Sequence, residues 1–244
     1  MQKSATAKHR HISQTGAVDY SLSLSPNRIQ RESLASIVYA HLKNALAEGK
    51  LMPGQKLTGR ELCEQLGVSQ TPVREAMLQL VAERALTLNP NRSITVPELT
   101  RDKFIELRDM RVALEGLAAA HAAAVATADQ VDEIASFHDK LMRAKRARAY
   151  GDTMKLNRLL HFAVYELSGR EELISLIESL WARTGPYLNF LYRHQEPAII
   201  DPHPHEALIA ALRSNQSDDA RKAIEVDIIQ GGANILDVLS NDAA

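Results

Sequence analysis

Cysteine occurs once in 244 residues, as Cys63. That excludes an intramolecular disulfide and a cysteine-rich zinc site, and it suits a reducing cytoplasm. Long apolar runs are missing as well. Residues 1–25 carry Lys3, Lys8, His9, Arg10 and His11 without an apolar stretch of signal-peptide length. No later segment reaches the roughly 18 uncharged apolar residues of a membrane helix, so neither export nor a membrane partner is expected. There is no repeat period and no glycine-rich phosphate loop, which removes the usual marks of a solenoid or a nucleotide-binding enzyme. Strong charge is also absent, the net charge being -1. That balance conceals an asymmetry: residues 1–100 carry 12 Lys+Arg against 8 Asp+Glu, and the remainder 17 against 22. The first part is the one suited to a polyanion such as nucleic acid.

What is present is helix, punctuated by turns. A composition 45% hydrophobic and 24% charged belongs to a chain able to bury a core. Residues 1–26, rich in Ser, Thr, Gln and Lys and ending at Pro26, read as a flexible arm. From Ile29, the residues Leu34, Ile37, Val38, Leu42, Ala45 and Leu46 recur at three- and four-residue steps, and Gly49 with Pro53-Gly54 ends that helix. Thr58 is placed to cap a short second helix closed by Gly67. Ser69 is placed to cap a third, with Val73, Met77, Leu80 and Val81 on one face. Two β-prone pieces, Leu86–Leu88 and Ser93–Val96, flank the turn sequence Asn89-Pro90-Asn91-Arg92. The expected fold class is mainly α, opening with a winged helix-turn-helix over 27–98 that carries a small β-hairpin wing. In such a unit the start of the second helix of the pair meets base edges and phosphates. That would explain why Ser69, Gln70, Thr71 and Arg74 crowd the start of an amphipathic helix.

The stretch "EGKLMPGQKLTGRELCEQLGVSQTPVREAMLQLVAERAL" resembles the N-terminal domain of the GntR family of bacterial transcription regulators. The likeness rests on the Leu-x-Pro-Gly turn, the short helix opening Arg60-Glu61-Leu62, and a recognition helix of the Val-Ser-x-Thr-Pro-Val-Arg-Glu-Ala type. It implies that Arg60, Ser69, Gln70, Thr71 and Arg74 contact double-stranded operator DNA and that Arg92 lies in a wing reaching toward the minor groove. Two positions depart from the family pattern. Gln70 stands where Arg is common, and since Gln pairs with adenine and Arg with guanine, the operator should differ at that base pair. Ser93 stands near a wing position where Gly is common, and its bulk would hold the wing further from the DNA backbone.

From residue 101 to 240 the pattern is almost purely helical. Helices are expected through the alanine-rich "LAAAHAAAVA", then over Ala128–Tyr150, Asp152–Leu167, Glu171–His194, Pro204–Leu212 and Asp218–Leu239, forming an all-helical bundle. Asn157 and His161 stand i, i+4 on one face, among Leu156, Leu160 and Val164. A histidine in such a place is ordinarily a core residue held by a hydrogen bond. His205 falls in the first turn of a later helix and Asp227 on its neighbour, and two helices joined by a short turn can bring such positions level.

"RDMRVALEGLAAAHAA", "NRLLHFAVYELSGR" and "PHEALIAALRSNQSDDARKAIEVDI" resemble the FCD effector domain of FadR-type members of that family. The resemblance implies a divalent metal held by an Asp or Asn, a His four residues on, and two further histidines about 22 residues apart. Asn157, His161 and His205 match, and Asp227 stands where a histidine is usual. Two imidazoles, a carboxylate and an amide oxygen are competent for Zn²⁺, Mn²⁺ or Ni²⁺, with open positions for water or an effector carboxylate. The same residues could instead form a metal-free organic pocket. By resemblance Arg111 faces this pocket, where its planar fork suits a carboxylate; the alternative is a pair with Glu115 on a solvated face. Trp181, Arg183, Tyr187 and Arg193 fall on the helix expected after Glu171.

The resulting expectation is a homodimeric, cytoplasmic DNA-binding regulator governed by a small carboxylate effector. The alanine-rich helix could pack within the chain or against a second subunit. An enzyme built on the two-His, one-carboxylate set is the alternative, and it lacks an obvious general base and a cofactor loop.

Overall fold

The structure, a computed structural model, describes residues 33–189 and 202–241. The expected arm over 1–26, the helix start at Ile29, and Arg193 lie outside the described residues. The first helix, α1 (Leu34–Ala47), is capped by Ser33, whose hydroxyl accepts from the Ser36 N–H at 3.1 Å. After the Pro53-Gly54 turn come β1 (Lys56–Leu57), α2 (Gly59–Leu66), α3 (Gln70–Ala82), β2 (Thr87–Leu88) and β3 (Ile94–Thr95). Thr58 caps α2 as expected, accepting from the Glu61 N–H at 3.3 Å. Gly67 closes α2 at a φ of 66°, a left-handed turn that glycine adopts without steric cost. Ser69 holds the N-cap position of α3, but its hydroxyl makes no capping bond and stays exposed.

The wing has one strand more than the expected hairpin. Its order is β1-β3-β2, all antiparallel, with Lys56 opposite Thr95 and Leu57 opposite Ile94. Two residues carry no readable alternation, so β1 exists only through its distant partner. The core beneath gathers Val38, Leu42 and Leu46 of α1, Leu57, Leu62, Val73, Met77, Leu80, Leu86 and Val96. Full burial of each such side chain contributes about 1.5–3 kcal/mol. This orients α3 so that Gln70, Thr71 and Arg74 look outward.

The rest of the described chain is helical, as expected: α4 (Arg101–Val125), α5 (Ala128–Arg146), α6 (Tyr150–Leu167), α7 (Glu171–Thr184), a 3₁₀ turn (Gly185–Asn189), α8 (Pro204–Arg213) and α9 (Ser217–Asn241). The α4 alanines Ala118, Ala119, Ala122 and Ala123 are buried in a core shared with Leu160, Leu208, Leu212 and Ile224. Their small surfaces therefore serve packing within the chain. The helix expected to run from Glu171 to His194 stops at Thr184. Pro186 has no N–H to continue the ladder, and its ring collides with the preceding turn.

Gly185 has a further reason to be glycine. A Cβ there would lie 2.7 Å from both the Cα and the carbonyl oxygen of Ala47, and closer still to the Leu46 carbonyl. Here α7 seats on α1, where Lys43 pairs with Glu178 at 3.1 Å. The two cores interlock at the seat: Ala47 belongs to the helical core, and Ala182 to the core under the wing. Gly185→Ala should therefore cost about 1–3 kcal/mol through overpacking against backbone. The urea midpoint reads that loss, and an unchanged midpoint would mean that α7 shifts freely on α1.

Candidate metal centre and DNA-facing helix

Arg60, Ser69, Gln70, Thr71, Arg74 and Arg92 are all exposed, on α2, at the start of α3 and at the wing tip. Arg60 is held by Glu64 one turn on, at 3.0 Å. Arg92 takes a left-handed φ of 62°, and its N–H donates to the Asn89 carbonyl at 2.8 Å, which closes the hairpin. Ser93 turns into this tip: its hydroxyl donates to Asn91 Oδ1 at 2.7 Å and accepts from Asn89 Nδ2 at 3.1 Å.

His161 on α6, His205 in the first turn of α8 and Asp227 on α9 converge. His161 Nε2 lies 3.2 Å from Asp227 Oδ2 and 3.2 Å from His205 Nε2, which is 3.4 Å from Asp227 Oδ1. Asn157, one turn before His161, lines the cavity they share. A relay fixes which His161 nitrogen faces in. Glu115 is wholly buried and accepts the Tyr165 hydroxyl at 2.5 Å, and that hydroxyl oxygen lies 2.8 Å from His161 Nδ1. Since the tyrosine proton goes to the carboxylate, its oxygen accepts the Nδ1–H of His161 and leaves the Nε2 lone pair facing Asp227 and His205.

With its proton on Nε2, His205 hydrogen-bonds across this gap; with the proton on Nδ1, the three inward atoms are lone-pair donors that a cation among them would hold together. Ligands about 2.0–2.1 Å from one tetrahedral ion sit about 3.4 Å apart, so the donor set fits a metal. Burial by itself would raise the Asp227 carboxyl, but His205 and His161 beside it hold it well below the usual carboxylate range. Burial and the neighbouring His205 depress His138 and push His203 down to about 3.

The cavity has a volume of about 140 Å³. Arg111 lines it, as the resemblance implied, but its fork is committed. Nε and Nη2 donate to Glu115 at 2.6 and 3.4 Å, and the guanidinium lies 4.7 Å over the Trp181 ring. The Arg111–Glu115 pair is thus made in the interior, not on a solvated face. Burial opposes the Arg111 charge, yet Glu115 raises its pKa above the ordinary value. Lys145 also lines the cavity and makes no ion pair among the described residues. Burial lowers its pKa against the pull of Asp227. Of the residues that follow Glu171, Trp181 lines it. Tyr187 instead packs with Phe104 and Ile235 and donates to the Pro97 carbonyl at 3.2 Å. Sequence reasoning missed Tyr165, Lys145, His138 and His203. The i, i+4 spacing of His161 and Tyr165 was the one available signal.

Residues 34–96 match the bacterial regulatory proteins of the gntR family, and residues 106–228 match the FCD domain. The HTH-type transcriptional regulator McbR of Escherichia coli (strain K12) is 35% identical over 211 residues, which is 86% of this chain and 95% of McbR. This chain belongs to the GntR family. The solved E. coli McbR/YncC structure shares its fold with a TM-score of 0.78 at 34% identity, over 87% of this chain and 99% of that one. A putative GntR regulator from Rhodococcus sp. RHA1 has a TM-score of 0.66 at 21% identity, over 83% of this chain and 97% of that one, a likeness of fold. The Uxu operon regulator of Haemophilus influenzae is 28% identical over 75% of this chain and 74% of its own length. These GntR relatives are named as regulators, and this GntR protein is a DNA-binding transcription regulator rather than an enzyme. No described helix is long and apolar enough to cross a membrane.

Proposed function

We propose that this regulator acts in the cytoplasm as a homodimer on a short inverted repeat, and that its FCD domain senses a small carboxylate-bearing metabolite through a bound divalent metal, Zn²⁺, Ni²⁺ or Mn²⁺. The observation that carries the reading is the convergence of His161, His205 and Asp227 in a cavity that Lys145 also lines. His161, His205, Asp227 and Asn157 would hold the ion, which would offer open positions to an acid. With Arg111 committed to Glu115 and Arg108 paired with Asp109, Lys145 is the lining cation without an ion pair among the described residues, available to meet the acid's second oxygen. A cavity of about 140 Å³ has roughly tenfold the space that one water requires, which suits a small acid rather than a lipid chain.

Regulation follows from α7, which lines the cavity with Trp181 and seats on α1 with Glu178 and Gly185. An effector that prefers one seating of α7 biases the reading heads by its differential affinity, typically about 1–3 kcal/mol. Elemental analysis of the untagged protein tests the centre. About one transition metal per chain, lost in His161→Ala, is the expected result; no metal in either sinks the metal reading and leaves an organic pocket.

The DNA face is tested separately. Gln70→Ala should cost roughly 1–3 kcal/mol on the cognate operator and little on random DNA, and equal losses on both would refute base reading. Arg74→Ala should weaken binding to any sequence and reduce the salt slope by about one unit.

A further inference from the structure

His138, His203 and His205 form a second convergence that the site above does not use. The rings come from α5 and from the start of α8, all three are buried, and one nitrogen from each lies within 4.8 Å of the others. Ring centres are 5.6 Å apart for His138 and His203, 5.6 Å for His138 and His205, and 4.4 Å for His203 and His205. Two imidazoles bound at about 2.0–2.1 Å to one tetrahedral ion have ring centres about 5 Å apart. The rings therefore stand near the spacing of ligands on a shared ion.

Two of their nitrogens are orphans. His138 Nδ1 and His205 Nδ1 are buried with no hydrogen-bond partner among the described residues, which is uncommon for a polar atom out of water. Each ring directs its other nitrogen to an acid: His138 Nε2 is 4.0 Å from Glu206, and His205 Nε2 is 3.4 Å from Asp227. A neutral ring protonated at Nε2 carries its lone pair on Nδ1, the buried atom that has no partner among the described residues. His203 caps α8 by accepting the His205 backbone N–H on Nδ1 at 3.3 Å, a long bond that ligation would replace.

We propose that His138, His203 and His205 form a second, all-imidazole metal position. It competes with the position at His161 and Asp227, because a neutral His205 has one lone pair to give. The inference goes beyond the effector site and does not require that site to hold a metal. The two sets prefer different ions. Nitrogen-only donors select Ni²⁺, Cu²⁺ or Zn²⁺, whereas a set with carboxylate and amide oxygens also holds Mn²⁺.

The test titrates the metal-free full chain with Ni²⁺ and with Mn²⁺, in the wild type, Asp227→Asn and Asp227→Asn/His138→Gln. Asp227→Asn should lose Mn²⁺ and keep Ni²⁺ at one per chain. Adding His138→Gln should then weaken Ni²⁺ by about tenfold or more, with the thermal unfolding curve reporting that the double variant is folded. His203→Gln in place of His138→Gln should give the same loss. If Asp227→Asn loses Ni²⁺ together with Mn²⁺, or if neither histidine change affects Ni²⁺, the second position does not exist. Mn²⁺ binding indifferent to Asp227→Asn overturns the metal at the effector site alone.

Discussion

Glu115→Ala is expected to lower folding stability by about 3–5 kcal/mol, the cost of leaving one member of a buried ion pair without its partner. The Glu115 carboxylate is wholly buried and takes three donors: Arg111 Nε, Arg111 Nη2 and the Tyr165 hydroxyl. Alanine strands the guanidinium, whose side chain is 13% exposed, and removes the acceptor of the Tyr165 hydroxyl, which keeps its contact with His161. The exposed pair Arg60–Glu64 sets the scale, since its side chains are 88% and 65% exposed and such pairs contribute about 0.2–1 kcal/mol. Glu115→Gln is the informative companion, because it keeps an acceptor while removing the charge. Urea unfolding of the metal-free protein reads both. A loss below about 1 kcal/mol for Glu115→Ala would mean that Arg111 finds a second acid, and Asp227 already acts on its charge.

The same residues show where sequence reading succeeds and where it stops. The reading head was legible because its signals are local: Thr58 before α2, Gly67 in the tight turn, and Val73, Met77 and Leu80 at helical spacing. The convergence of His161, His205 and Asp227 was suggested by family likeness and by helix pairing, and the structure brings those three together. Three other features depend on distance along the chain or on depth. The strand Lys56–Leu57 exists only through Ile94–Thr95. Arg111–Glu115 fits i, i+4 spacing, but nothing in that spacing distinguishes a solvated pair from one sealed in the core. The end of α7 was written in Gly185-Pro186, yet its reason, the approach of Leu46 and Ala47, belongs to a helix far away in sequence.

These contacts also suggest why ligand and DNA could be coupled without a long pathway. Trp181 lies under Arg111, Ala182 enters the core beneath the wing, and Gly185 touches α1. The last turn of α7 and the Gly185 that follows it therefore touch the cavity on one side and α1 on the other. Packed cores shift between discrete arrangements rather than deforming smoothly, so on the proposed reading a change of α7 seating would be the way for an occupied cavity to move α3.

Tyr165→Phe should lower zinc affinity about 10–100-fold, the usual effect of removing the group that orients a ligating histidine. The substitution keeps the ring, which packs edge-on against Phe162 with centres 5.7 Å apart, and deletes one oxygen. Without it, the His161 Nδ1–H has lost its acceptor, and the ring can place its proton on Nε2, the nitrogen that the proposed metal would need. On the proposed metal reading, Tyr165 is a positioning residue. Its phenol is no rival source of charge, because burial, and then the Glu115 carboxylate, raise its pKa well above the ordinary value. A structural role would show differently: Glu115 would lose one donor, at a cost of about 1–3 kcal/mol in the metal-free protein, with zinc affinity unmoved. Competition against a chelator of known strength separates the two outcomes. Unchanged affinity alongside lowered stability would assign the Glu115–Tyr165 relay to the fold alone, whereas a loss of affinity exceeding the loss of stability would show that the relay holds His161 in its ligating form.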